Sequence, residues 1–216
     1  MNKSEVVALG IILLSFIIGI YFYNQMPEKM AIHWNVKGEV DSYASKFLGL
    51  FLIPVILLMI FLLFIAIPRI DPLKQNIEEF RKYYNGFIIL TIGFLFYTYI
   101  LTILWNYGFR FSIAQLITPA FGILFYYCGI LIENAKRNWF IGIRTPWTLS
   151  SEEVWNRTHR IGGRLFKLAG IISFAGVTLQ KYALFFVLVP VLLISIYTVI
   201  YSYLEYQRVI KCGACS

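Results

Sequence analysis

The side chains that could do chemistry are few. Histidine occurs twice, as His33 and His159, in two different polar segments. His33 with Asp41 offers two of the roughly four ligands that a closed metal site needs, so a hydrogen-bonding role is expected there and no metal site. Cys212 and Cys215 form a C-x-x-C at the end of the sequence. Two local ligands again fall short of zinc; lipid attachment and a disordered tail are the other readings. Cys128 sits in an apolar run and reads as a small hydrophobe. H-E-x-x-H, G-x-S-x-G and a phosphate-cradling glycine loop are absent. Hydrolysis requires a nucleophile with its base, paired acids or a metal. No catalytic residue and no cofactor are therefore expected, and the sequence does not read as an enzyme.

The densest polar and aromatic stretch is N-W-F-I-G-I-R-T-P-W-T-L-S-S-E-E-V-W-N-R-T-H-R, over residues 138–160. Through Leu149 its tryptophan and phenylalanine rings, with Gly142 and Pro146, predict a non-helical segment docked at the level of the lipid headgroups. Ser150 followed by Glu153 reads as a capping box that opens a helix. Glu153 is one turn from Arg157 and can pair with it. Val154, Thr158, Ile161 and Leu165 line one face of that helix, and Arg157, Arg160 and Arg164 another. Such a surface can dock a protein partner or an anionic group, or lie on lipid as an amphipathic stretch with basic anchors.

Apolar helices must position these residues. Runs at 6–23, 47–67, 86–106, 112–132, 161–179 and 182–203 are each near the about 20 residues that cross a hydrocarbon core roughly 30 Å thick. The 216 residues are 59% hydrophobic and 14% charged, with mean hydropathy +0.72. A water-soluble fold could not hide that much apolar surface. The expected fold is an all-α integral membrane protein: a six-transmembrane-helix bundle with a short strand-like extracytoplasmic segment and an amphipathic cytoplasmic helix. The first run lacks a cleavage signature and reads as a retained helix. Short connections at 107–111 and 180–181 make hairpins of the third with the fourth span and the fifth with the sixth.

Orientation follows from the basic residues. With the amino terminus inside, Lys29, Lys37, Lys46, Arg110 and Lys181 face outward and the other fourteen of the nineteen Lys and Arg face inward, as the positive-inside rule requires. Both ends then lie in the cytoplasm of a cell bounded by this plasma membrane. The net charge of +8 reads as orientation and attraction to anionic membrane lipids, not as direct nucleic-acid binding. No ionisable side chain falls mid-span, which argues against an ion-coupled pump. Pro54, Pro119 and Pro190 fall inside spans, where kinks are expected. These kinked spans leave a carrier or channel for a small neutral or amphipathic solute as the alternative function. Ala169, Ser173 and Gly176 form a stripe that permits close helix approach.

Between the first two spans, Met30, Ile32, Trp34 and Val36 alternate with other residues, a strand periodicity. Lys37, Gly38 and Glu39 then supply a turn. A short strand lying on the outer membrane surface is expected.

At Ile141 to Arg160 the run I-G-I-R-T-P-W-T-L-S-S-E-E-V-W-N-R-T-H-R resembles the signature of the SdpI family of bacterial and archaeal membrane proteins. M-P-E-K-M-A-I-H-W-N-V-K-G-E-V-D at Met26 to Asp41 is similar to the small module of unknown function that often precedes it. The resemblance implies a two-helix module at 1–83 and a four-helix module at 84–216 carrying a signature loop at 134–160. It also implies an immunity or signalling protein, since the family's namesake protects its cell from a secreted peptide toxin and holds a cognate repressor at the membrane. By that analogy Gly142, Arg144, Thr145, Pro146, Trp147, Thr148, Trp155, Arg157, Thr158, His159 and Arg160 would meet a partner inside. His33, Trp34, Asn35, Gly38 and Asp41 would contact a toxin or ligand outside.

Overall fold

A computed structural model describes the backbone of residues 2–35, 38–179 and 182–213. Val36 and Lys37 of the expected strand and turn, the 180–181 connection, and the side chains of Cys212 and Cys215 lie outside the described residues. The chain runs α1 (Lys3–Phe22), a 3-10 turn (Tyr23–Gln25), β1 (Lys29–Trp34), β2 (Val40–Ser45), α2 (Lys46–Ile70), α3 (Lys74–Glu79), α4 (Arg81–Tyr107) and α5 (Ile113–Asn134). The short α6 (Pro146–Ser150), α7 (Glu152–Ser173), a second 3-10 turn (Phe174–Val177) and α8 (Phe185–Gly213) follow.

Lys3–Gln25, Lys46–Ile70, Arg81–Tyr107, Ile113–Asn134 and Phe185–Lys211 are long and apolar enough to cross a bilayer. Their outward faces carry bare hydrocarbon: Ile17, Leu62, Leu63, Ile123, Leu192 and Ile196 are each more than half exposed. Lipid chains are the solvent for such a surface. This is a multi-pass protein of the cell membrane. The remaining expected span is the apolar continuation of α7, whose first turns carry Glu152, Glu153, Arg157, Arg160 and Arg164.

Two packing units share the helices. Ala8 and Ile12 of α1, Leu57 and Phe61 of α2, and Ile88 and Ile92 of α4 close one core. Pro68 has no N–H to give the carbonyl of Phe64, and the buried Tyr84 hydroxyl donates to that carbonyl instead, at 2.9 Å. In the second unit α7 lies along α5 on paired glycines: a Cβ on Gly129 would stand 2.4 Å from the carbonyl oxygen of Gly163, and one on Gly122 2.8 Å from that of Gly170. The backbones touch there, which only small residues permit. Further along, Gly176 sits against the Thr118 side chain, whose methyl a Cβ there would meet at 2.7 Å.

β1 and β2 form an antiparallel ribbon whose register shifts around His33. The strict alternation expected of Met30 to Trp34 does not hold at Ala31, which is buried beside Met30. Asn106 of α4 covers that residue: its amide accepts from the Ala31 N–H at 2.8 Å and donates to the Ala31 carbonyl at 2.9 Å. The helix thereby occupies the strand edge as a further strand would.

Two expectations at the other end are corrected. Residues 146–150 are helical, because Thr145 caps a helix that has Pro146 at its first position. Ser150 closes that turn, and Ser151 is the cap of α7, accepting from the Val154 N–H at 3.4 Å.

Candidate functional site

The residues from Ala135 to Ser151 fold into a closed knot. Asn138 is buried at its centre, its carbonyl accepting from the N–H groups of Phe140 and Ile141 and its amide donating to the carbonyls of Lys136 and Ile141. Thr145 and Thr148 form a reciprocal cap, the Thr148 hydroxyl reaches the Ile143 carbonyl at 2.8 Å, and the Thr145 hydroxyl reaches Ser202 of α8 at 3.0 Å. Asp71, at the end of α2, is buried and accepts from Leu73 N–H and Trp139 N–H at 2.6 and 2.9 Å. That carboxylate sews the knot to the first packing unit.

His159 is the hub. Its ring stacks on Trp155 with centroids 3.8 Å apart. The Ile143 N–H donates to its Nε2 at 3.0 Å, so Nε2 carries no proton and Nδ1 donates to the Trp155 carbonyl at 2.8 Å. Both ring nitrogens are thus used by the neutral form. Burial pushes the pKa down to about 4, against a smaller opposing pull from the Trp155 carbonyl. Trp155 itself is fully buried and donates to the Ala135 carbonyl at 2.8 Å. Gly142 has φ +111°, and a Cβ there would stand 2.4 Å from Nε2 of His159.

Of the expected partner-contacting residues in this region, Thr145, Thr148, Trp155, Thr158 and His159 are buried. Gly142 and Trp147 are half-buried, Trp147 packing on Tyr203. Arg144, Pro146, Arg157 and Arg160 are exposed. Arg144 donates to the Trp139 carbonyl at 2.7 Å. Arg157 bridges Glu153 and the buried Glu205 of α8; the Glu205 hydrogen bond, with the Glu153 charge behind it, raises its pKa above the ordinary arginine value.

At the opposite end the ribbon is shallow. His33 Nδ1 and Asp41 Oδ1 meet across the strands at 2.5 Å, both largely exposed. Asn35 closes the turn against Glu39, and Gly38 has φ +81°, the left-handed conformation glycine tolerates. Trp34 packs edge-on against Trp105, and its buried Nε1 has no hydrogen-bond partner among the described residues. Beneath it a cavity of about 330 Å³ is lined by His33, Trp34, Asn35, Thr98, Thr102 and Leu184, among others. Among the described residues no group of three metal-ligating side chains gathers.

Comparison with known proteins matches both ends. The SdpI/YfhL protein family matches residues 134–202, and a domain of unknown function, DUF1648, matches residues 10–58. The immunity protein SdpI of Bacillus subtilis (strain 168) is 29% identical over 207 residues, covering 95% of this chain and 97% of that one. The two family matches and this relative together support an SdpI family member with an N-terminal DUF1648 module. Its SdpI match begins at the last residue of α5 and takes in the knot, α6, α7 and α8 as far as Ser202, which bonds to Thr145. Its DUF1648 match holds the ribbon between most of α1 and the first half of α2. No solved structure matches the chain.

Asp71, Asn106, Asn138, Ser202 and Glu205 hold these two ends in place, and reading the sequence did not single them out for that. Asp71 and Asn138 lie at the ends of apolar runs, where a lone Asp or Asn commonly ties up loop N–H groups, a usable signal. Nothing local marks Asn106, Ser202 or Glu205, whose partners are distant in sequence.

Proposed function

We propose that this protein is an immunity factor that protects its cell against a membrane-active peptide toxin, with the ribbon outside and the knot in the cytoplasm. The likeness to an immunity protein over nearly the whole of both chains carries this reading. Six crossings accompany it. In support, α7 and its 3-10 extension lie against α5 from Gly129 through to Thr118, most of the length of an apolar helix. The fourteen-to-five division of basic residues supports the orientation. In this scheme 1–83 is the module that presents the ribbon and 84–216 the module that presents the knot.

The outer contact is the ribbon, with His33, Trp34, Asn35, Gly38 and Asp41, and the cavity under it: His33, Trp34 and Asn35 border an apolar recess with few polar groups, which suits an apolar peptide side chain. The inner contact, for a repressor held at the membrane, is the exposed rim of the knot, Arg144, Pro146, Arg157 and Arg160. The buried members, among them Thr145, Trp155 and His159, act by fixing that rim.

Expression in cells sensitive to a membrane-active peptide tests the role. Survival with the protein present, and killing without it, is expected. Unchanged killing while the protein reaches the membrane at normal level would overturn it. Topology is read separately, in a background with Cys128, Cys212 and Cys215 replaced by serine. An impermeant maleimide should label Tyr43→Cys and not Ser150→Cys on intact cells, and the reverse pattern would invert the assignment.

A further inference from the structure

At the knot end, between the last turn of α5 and one stripe of α7, lies a polar cleft of about 640 Å³. Asn156, Arg160, Arg164 and Lys167 of α7 face Glu133, Asn134 and Lys136 across it. Their spacing, four, four and three residues, is one helical stripe. Lys167 is already neutralised by Glu133 at 2.7 Å, and Lys136 lies 3.7 Å from Glu79. Arg160 and Arg164 have no carboxylate partner among the described residues, in contrast to Arg157, which has two. Like charges one turn apart repel, and the cleft's carboxylate, Glu133, is already engaged by Lys167, so no ion pair among the described residues offsets them. The two guanidinium forks match the oxygen geometry of a phosphate.

We propose that this cleft binds a phosphate group, presented by an anionic phospholipid. Depth favours lipid as the source. The apolar helix α5 ends at Asn134, so the cleft opens where hydrocarbon gives way to headgroups. Trp139 and Phe140, three and four residues past Lys136, are exposed by 51% and 38% and suit the same interface. The site rests on α5 crossing the membrane and is independent of the toxin reading and of which leaflet the knot faces.

The full chain, purified in neutral detergent, is offered equal phosphatidylglycerol and phosphatidylcholine, and retained lipids are counted by native mass spectrometry. Retention of phosphatidylglycerol over phosphatidylcholine by about tenfold is expected, the scale of one or two charge-assisted hydrogen bonds. Arg160→Gln with Arg164→Gln should abolish the preference and leave the melting temperature in detergent in place. Glu133→Gln, which frees Lys167, should strengthen it; weaker retention in that variant counts against the cleft even where the double variant does not fold. Equal retention of both lipids overturns the lipid source. Inorganic phosphate serves as the second probe: a melting shift on adding it, lost in the double variant, then leaves the phosphate chemistry standing with a soluble ligand, and no shift overturns the proposal. Toxin survival is not a readout here, so failure of this site and failure of the immunity role are separable.

Discussion

The two polar ends of the bundle solve the same problem in opposite ways. Each is an irregular segment at the rim of an apolar bundle, where unpaired backbone groups are costly. The ribbon pairs its backbone strand to strand and borrows one helix side chain, Asn106, for an edge; its own side chains stay at the surface, His33 and Asp41 paired there with one another. The knot pairs its backbone with side chains, Asn138 and Thr148 of its own and Asp71 and His159 from the adjoining helices, and so consumes them. One end displays its distinctive residues and the other is built from them. A distinctive sequence motif in the knot therefore reports mostly on shape, and the exposed arginines around it are the part open to a partner.

The largest effect that could break this comparison is at Gly142. Replacing it with alanine sets a Cβ in a left-handed backbone conformation and 2.4 Å from His159 Nε2. A loss of about 2–4 kcal/mol is expected from the strain and the displaced hydrogen bond. Gly38→Ala, equally left-handed but in open space, should cost only about 1–2 kcal/mol. Equal melting temperatures for the two variants in detergent would mean that the knot is no more tightly built than the ribbon turn.

Acid sharpens the contrast next. His159 titrates near 4 in the folded protein against 6.5 when unfolded. Below 6.5 the unfolded chain takes up the proton first, so the contribution of neutral His159 is complete above pH 6.5 and is lost as pH falls toward 4. Fully expressed, it is about 3 kcal/mol. Melting temperature should fall over that window, and His159→Gln should be less stable at pH 7.5 with the fall much reduced. A wild-type profile flat from pH 7.5 to 4.5 would remove His159 as the hub.

Much of this architecture can be read from sequence, and the reasons for the gaps are physical. Five of the six apolar runs coincide with helices long and apolar enough to cross a bilayer, because lipid demands about 20 apolar residues whatever the packing. The ribbon shows in the alternation from Met30 onward, and Glu153 does pair with Arg157 as helix spacing requires. The expected helix start at Ser150 resolves into two: Thr145 with Pro146 opens α6, and Ser151 opens α7, because two caps in succession make two helices. Invisible was the use of the motif residues. Trp155 and His159 carry the same letters whether they face a partner or each other, and only the Ile143 N–H and the Ala135 carbonyl decide it. The glycine pairs of α5 and α7, each seven residues apart in their own helix, were legible in principle as a shared period.

At the ribbon, Asn106→Leu removes both bonds to Ala31 and leaves that buried peptide unit unsatisfied. About 2 kcal/mol is expected, felt locally. Amide exchange at Ala31 should quicken while the knot is unaffected, and global loss of protection would show that the two ends are one cooperative unit.

Asp41→Asn should have the smallest effect on stability and is the most telling about role. The His33 to Asp41 pair is short but exposed, and exposed pairs contribute under about 0.5 kcal/mol because water competes for both partners. If the ribbon's exposed side chains exist to meet a toxin, this variant melts like wild type and yet protects less well in the killing assay. A variant that protects fully would move the toxin contact away from the His33 edge, toward the cavity under Trp34, where Thr98→Val and Thr102→Val would be the next pair to try.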